Sequence, residues 1–382
     1  MEGTLSRSEL RNRRNSRIRF ELADESDDAD IRHLLRNNPM AGKIELSLER
    51  EPSFFADANL PGEEKQTIIA REDNRVVCVG TCSVRSRFVA AEPRRVGYLG
   101  GLRLDRSVAG RFDILRRGYE FFRALQAANP ADLYFTSIAA DNERARKFLE
   151  RGLPGMPRYD FLAEFVTLLL SVEPVPRSKT NQKFSFGGGA GAPSLDEICE
   201  VLNKEGRHDE LAPCWSVEQL SALELLGLSQ NDFQVARNGE QIVACAALWD
   251  QRKFKQTVVR GYAPWLSRWR AAINLMASIA HQPRWPVPGR ALAHAFVSHL
   301  AMPANEPDAL TAMVSAVSAV ARRRKIELLT LGFAANDPRL ATVRAHFPHR
   351  EYRSRIYLVH WPEAIGTAPK LAGYLAPEAA LL

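Results

Sequence analysis

The stretch IAADNERARKFLERG, Ile138–Gly152, recurs as FAANDPRLATVRAHF, Phe333–Phe347. Asn142 answers to Asp337 and Arg144 to Arg339, both at an offset of 195. Each copy follows an apolar run and precedes an aromatic-rich one, so the chain reads as a tandem repeat of one fold. At 382 residues, a prior of roughly 150 residues per domain allows two or three domains, and the repeat selects two.

Composition is that of an ordinary globular protein, with 45% hydrophobic and 25% charged residues and a mean hydropathy of −0.26. No apolar run reaches the roughly 18 residues needed to span a bilayer, and no apolar signal core opens the chain, so a cytoplasmic location without membrane partners is expected. The five cysteines, Cys78, Cys82, Cys199, Cys214 and Cys245, are odd in number and scattered. They argue against a disulfide framework, and Cys78 and Cys82 have no neighbouring histidine that would suggest a metal site. The net charge of +7 favours anionic partners by field. Part of it lies in the first 19 residues, where six arginines face two glutamates. A basic arm of this kind, over residues 1–15, is expected to be disordered; without interleaved aromatics it argues against nucleic-acid docking.

Periodicity gives the first unit, 16–172, the order strand, helix, antiparallel strands, helix, strand, helix, strand. Its strands are expected at 17–22, 67–72, 76–89, 95–105, 133–139 and 160–172, with helices over 28–36, 113–128 and 143–151. A polar, Pro-containing linker is expected at 173–181. The second unit, 182–363, repeats the order, beginning with the strand 183–186, the glycine-rich loop GGGAGAP and a helix opened by a Ser194/Glu197 capping box. Residues 364–382 read as a tail. The fold class is thus α/β, with two units each built on a mixed, mostly antiparallel sheet flanked by helices.

GYLGGLRLDRSVAGRFDILRRGYEFF, Gly97–Phe122, resembles the acyl-CoA-binding core of the GNAT N-acetyltransferase superfamily. IAADNERARKFLERGLPGMPRY resembles the motif that follows it there. The resemblance implies acetyl-CoA or another acyl-CoA as cofactor and a small-molecule or peptide amine as acceptor. Leu102, Arg103 and Leu104 would then lie along the pantetheine arm. The turn from Arg106 through Gly110 to Arg111 would hold the pyrophosphate, since orphan N–H groups and the helix dipole favour an anion there. Asn142 and Ala145 match the second motif. Where the family has Arg-Gly-x-Gly-x-Gly/Ala, this chain has Ala109-Gly110-Arg111-Phe112-Asp113-Ile114; where it commonly has a tyrosine acid, this chain has Leu149. Tyr159 is the nearest substitute acid, with an aromatic plug as its alternative role.

Acyl transfer to an amine also needs a base near the acceptor, in the segment MAGKIELSLEREPSFF. Glu45, Glu49 and Glu51 are candidates there, and each also reads as a solvated carboxylate. Tyr98 could orient substrate, and strand amides could serve the oxyanion. In the second unit the strand AHAFVSHLAM leads into PANEPDALTAM, without arginines or a glycine turn. That unit reads as a degenerate copy that has lost the cofactor, although Trp249, Asp250, Gln251 and Gln256 could build the acceptor site. His294 and His299, five apart on one strand, point to opposite faces and read as core histidines. The alternatives to an N-acetyltransferase are a non-catalytic acyl-CoA-binding protein and a transferase of the same fold using a carrier such as tRNA.

Overall fold

Alternating apolar residues of the first half form strands β1 (Arg19–Leu22), β2 (Ile44–Glu49), β3 (Glu63–Glu72), β4 (Arg75–Val89), β5 (Glu92–Leu104), β6 (Leu133–Ala139) and β7 (Arg158–Ser171). Helices α1 (Asp28–Asn37), α2 (Phe112–Gln126) and α3 (Glu143–Leu149) lie between them. The computed structural model describes residues 18–40, 42–172, 185–187, 193–239, 241–280, 282–362 and 371–382. The basic arm, the linker and the glycine run after Gly187 lie outside the described residues.

The second half contains β8 (Ser185–Gly187), α4 (Leu195–Gly206), β9 (Asp209–Glu210), α5 (Val217–Ala222), β10 (Phe233–Asn238), β11 (Gln241–Trp249) and β12 (Gln256–Tyr262). It continues through α6 (Pro264–Ile279), β13 (His294–Ala301), α7 (Pro307–Arg323), β14 (Leu328–Ala334), α8 (Pro338–His346), β15 (His349–His360) and β16 (Tyr374–Leu375). The expected Ser194/Glu197 capping box is present at α4.

Twelve of the described strands form one sheet in the order β1-β3-β4-β5-β6-β15-β7-β14-β13-β11-β10-β8. The last strand of each half is exchanged: β15 enters between β6 and β7, and β7 pairs with β14. Phe165, Val166, Leu168 and Leu170 on β7 are at most 1% exposed. Val166, Leu168 and Leu170 pack in one cluster with Leu329, Leu331 and α7 of the other half. The expected units 16–172 and 182–363 therefore share one sheet, and β7 of the first packs into a hydrophobic cluster of the second. A second junction joins β2 to β12 in a two-stranded antiparallel sheet.

The tail expected from 364 is, over 371–382, a packed segment: β16 pairs in parallel with β9, and Leu375 and Ala380 are buried. No helix among the described residues is long and apolar enough to cross a membrane. Nor do they place three or more His, Cys, Asp or Glu side chains where they could hold a metal ion.

Candidate active site: a fork in the sheet

Parallel pairing between β5 and β6 runs from Val96↔Leu133 to Leu99↔Thr136 and then stops. Beyond it β5 continues to Leu104 against β4 alone, and β6 turns to β15. The inner edges at 100–104 and 137–139 diverge into a fork whose backbone groups have no strand partner. At its apex Thr136 Oγ1 donates to the Leu99 carbonyl at 2.6 Å. Two residues of β5, Gly101 and Leu102, face Gly80 alone, because Thr81 pairs with Gly100 and Val79 with Arg103. Gly101 has φ +64°. This is a bulge whose first residue is left-handed, a position that glycine takes without steric cost. The Gly100-Gly101 pair inside a strand was the signal for it.

Across the fork lies a cavity of about 330 Å³ lined by residues of both sheet faces. Cross-strand register fixes the faces. Ile68, Gly80 and Cys82 look toward α2, whereas Lys65, Thr81, Ser83 and Tyr98 look the other way. Leu102, Arg103, Asn142, Ala145 and Tyr159 all line the cavity. Leu104 packs instead with Phe20 and Ile114 under α2. Asn142 also caps α3, accepting from the Ala145 amide at 3.2 Å. The Cys78 and Cys82 thiols are pushed up to about 12 by burial and stay neutral.

The turn after β5 is less open than its sequence implies. Asp105 Oδ1 accepts from the Ser107 amide at 2.8 Å, Asn38 Oδ1 accepts from the Arg106 amide, and the Val108, Ala109 and Arg111 amides bond within the turn. The expectation of a turn rich in free amides is corrected accordingly, and the cause is a short 3-10 turn capped by Asp105. Gly110, at φ +87°, takes no part as a donor and has open space where a Cβ would stand. Arg106 is exposed. Arg111 Nη1 meets Glu72 at 3.1 Å and its Nη2 meets Asp113 at 3.0 Å. Phe112, at a family glycine position, stacks on Phe148 of α3 with centroids 4.7 Å apart, bridging the two helices beside the fork.

Tyr159 is 8% exposed, and its hydroxyl bonds that of Tyr119. Burial, and then Tyr119, push its phenol well above the ordinary range. Tyr98 is pushed up to about 12 by burial. The candidate bases do not reach the cavity. Glu49 is ion-paired with Arg260 of β12 and with Arg36 at 3.5 Å; Glu51 pairs with Arg32 at 2.5 Å and with Arg36. Glu45 is exposed beside Gly261. Glu49 and Glu51 tie β2 and the residues after it to α1 and β12, and none of the three carboxylates lines the cavity, which corrects their reading as bases.

Arg50, Asp57, Glu63, Lys65, Gln251 and Lys255 also line the cavity. Asp57 lies between Arg50 at 2.7 Å and Lys65 at 2.5 Å. Burial raises its carboxyl, but the two cations outweigh burial and hold it well below the ordinary carboxylate range. Lys255 is pushed down to about 7, chiefly by burial and then by Arg50. Its Nζ donates to the main-chain oxygens of Leu382 at 2.7 Å and Ala380 at 3.3 Å. Gln251 Nε2 donates to the Ala380 carbonyl at 3.0 Å, leaving its buried Oε1 without a partner. Of the second-half cluster, Trp249 and Gln251 line the cavity, Asp250 pairs with Arg252, and Gln256 holds the Glu51 backbone. Lys255, which stands between the singled-out Gln251 and Gln256, carried no motif that would reveal it.

The second half repeats the fork and fills it. Pairing of β13 with β14 ends at Phe296↔Thr330, and His299 with Leu300 faces Ala246 in a bulge where His299 has φ +52°. Glu378 Oε2 accepts from the His299 amide at 2.8 Å, and a Cβ on Gly332 of β14 would meet Ala379 at 3.1 Å. The remaining cavity is about 70 Å³. Both histidines are buried; His299 packs among Trp215, Phe233 and Trp249, and His294 bonds Thr330.

Fork, bulge and helix-opening turn, present twice in one sheet, define the acyl-CoA N-acyltransferase fold in tandem. Solved structures carry the same architecture: this is the fold of tandem GCN5-related N-acetyltransferase proteins. A GCN5-related N-acetyltransferase from Sphaerobacter thermophilus superposes with a TM-score of 0.55 at 11% identity, over 89% of this chain and 95% of that one. A tandem GNAT protein from the clavulanic acid biosynthesis pathway gives 0.53 at 11% identity, over 92% and 100%. Saccharomyces cerevisiae N-myristoyltransferase with bound myristoyl-CoA gives 0.58 at 10% identity, over 89% and 82%. The sequence matches no protein-family model and no curated protein.

Proposed function

We propose that the chain is an acyl-CoA-dependent N-acyltransferase that passes an acetyl or other short acyl group to a small-molecule or peptide amine. The observation that carries this reading is the contrast between the forks: the first opens on a 330 Å³ cavity, while the second holds the chain's own Glu378 and Ala379. The donor fits the first fork because an unpaired strand edge offers alternating N–H and C=O groups to the amides of a pantetheine arm. When bound, acyl-CoA supplies a thioester activated toward amines.

The chain's own residues then divide the work. The Gly101 amide, at the bulge, is the donor for the carbonyl oxygen, by analogy with the His299 amide that donates to a carboxylate oxygen. Tyr159, a buried phenol backed by Tyr119, keeps a proton to give to the departing sulfur. Lys255 Nζ takes a proton from the acceptor ammonium, since its affinity near 7 leaves it largely neutral in mildly alkaline solution. Gln251 Oε1 accepts an N–H of the amine. Gly110 and Arg111 contact the pyrophosphate.

Calorimetry with acetyl-CoA, followed by thiol release with an amine panel, tests the reading. One donor per chain and release dependent on amine are expected. Leu149 at the usual tyrosine position favours a second reading, a non-catalytic acyl-CoA-binding protein. It predicts binding without release.

A further inference from the structure

Helix α6 is inside out. Its sequence, PWLSRWRAAINLMASI, carries large apolar residues at helical spacing, yet they face solvent: Trp265 is 57% exposed, Trp269 60%, Leu275 67%, Met276 69% and Ile279 76%. The opposite face attaches the helix to the protein. Leu266 and Ala277 are buried there, and Asn274 bonds both the amide of Trp285, at 2.7 Å, and its carbonyl, at 2.8 Å. An amphipathic helix normally turns its apolar stripe to the core, so this stripe is a surface awaiting a partner.

Charge identifies the partner. From Gln251 to Asn305 the chain contains no Asp or Glu. Arg268 on α6 and Arg284 and Arg290 on the loop that follows it are exposed. Tryptophans and leucine-like residues flanked by arginines, without a counter-charge, are the composition of a helix that lies in a lipid interface. At 16 residues α6 is too short to span.

We propose that α6 is a peripheral membrane-docking helix that seats Trp265, Trp269, Leu275, Met276 and Ile279 in an anionic lipid surface. Because β12, immediately before it, pairs with β2, whose Leu48 lines the cavity, docking brings that side of the cavity toward the membrane. The inference goes beyond the N-acyltransferase reading and does not depend on it.

Flotation of the full chain with vesicles tests it. Binding is expected to vesicles of equal parts phosphatidylcholine and phosphatidylglycerol, with a blue shift of tryptophan emission, and to weaken in high salt. Trp265→Ser/Trp269→Ser should lower partition roughly tenfold or more with the melting temperature retained, because both side chains are exposed. Leu275→Ser/Ile279→Ser should act likewise, and Arg268→Gln/Arg284→Gln should weaken binding to the anionic vesicles only. Failure to float with the mixed vesicles, or flotation unaffected by both apolar double variants, overturns the proposal. So does sedimentation showing a self-association that the Trp variants abolish while no vesicle binding occurs.

Discussion

The His299 amide donates to the Glu378 carboxylate at 2.8 Å, on a bulge that repeats the one at Gly101. The two residues stand at the same point of their forks and share a left-handed backbone, at φ +52° and +64°. One fork has closed on its own chain and the other remains open. For a histidine that conformation is uncommon, and the carboxylate at its amide is part of what holds it. Glu378→Ala would leave the His299 and Ala380 amides without their acceptor. A loss of about 1–3 kcal/mol in unfolding free energy is expected, read by denaturant titration. Donor stoichiometry should stay at one per chain.

Gly110→Ala should separate backbone strain from ligand contact. No neighbour crowds the added Cβ, so the fold should lose only about 1–2 kcal/mol for the left-handed conformation. If the backbone approaches a phosphate there, acetyl-CoA affinity should fall by about tenfold or more. Arg111→Gln should also weaken binding, while freeing Glu72 and Asp113 of their shared cation. Trp249, in the cavity wall, offers a fluorescence readout. Unchanged affinity in both variants would remove the turn from the donor site.

Tyr159→Phe removes the buried hydroxyl and retains the ring. A general acid contributes roughly 10² to 10⁴ in rate, so kcat should fall at least tenfold with acetyl-CoA affinity nearly unchanged. Tyr119→Phe should give a smaller drop, since it supports Tyr159 by one hydrogen bond. Full kcat in Tyr159→Phe would make the pair structural.

Lys255 gives a pH signature. A base works when deprotonated, and burial with Arg50 pushes this amine down to about 7. Measured kcat/KM should therefore rise with pH through about 7 and level off above it. Lys255→Met should abolish that limb together with most of the rate, whereas a persistent limb in the variant would assign it elsewhere.

His294 and His299 set an acid limit on stability. Burial lowers them from 6.5 to about 4 and about 3. The folded state thus resists protons that the unfolded state binds, so stability is complete above 6.5 and is lost as pH falls through that value. Each should contribute about 2 kcal/mol of loss by pH 5. Glu378, raised by burial, works in the opposite direction. Melting followed from pH 7 to 5 should show a shallower decline in His294→Gln.

The repeat at Asn142 and Asp337, the helix-opening turn at Gly110 and most strand positions were legible in sequence, because each is a local pattern. Asn142 and Ala145 line the cavity. What escaped was non-local. Periodicity reports that β15 is a strand, not that it enters between β6 and β7. Glu49 and Glu51 carried the right chemistry for a base, but Arg36 and Arg260, distant in sequence, neutralise Glu49 and draw it away from the cavity. Lys255 owes its lowered proton affinity to burial and to Arg50, neither of which a local pattern reports, and the packed segment 371–382 had no period long enough to read.

The exchange of β7 and β15 makes the covalent connection between the halves secondary to the hydrogen-bonded one. A protease cut within 173–184 would leave β7 held on one side by β15 and on the other by β14. Two such fragments should co-purify and melt together. Expressed apart they should instead behave as incomplete sheets seeking each other, so the two copies, once equivalent, can no longer be separated, shuffled or lost singly.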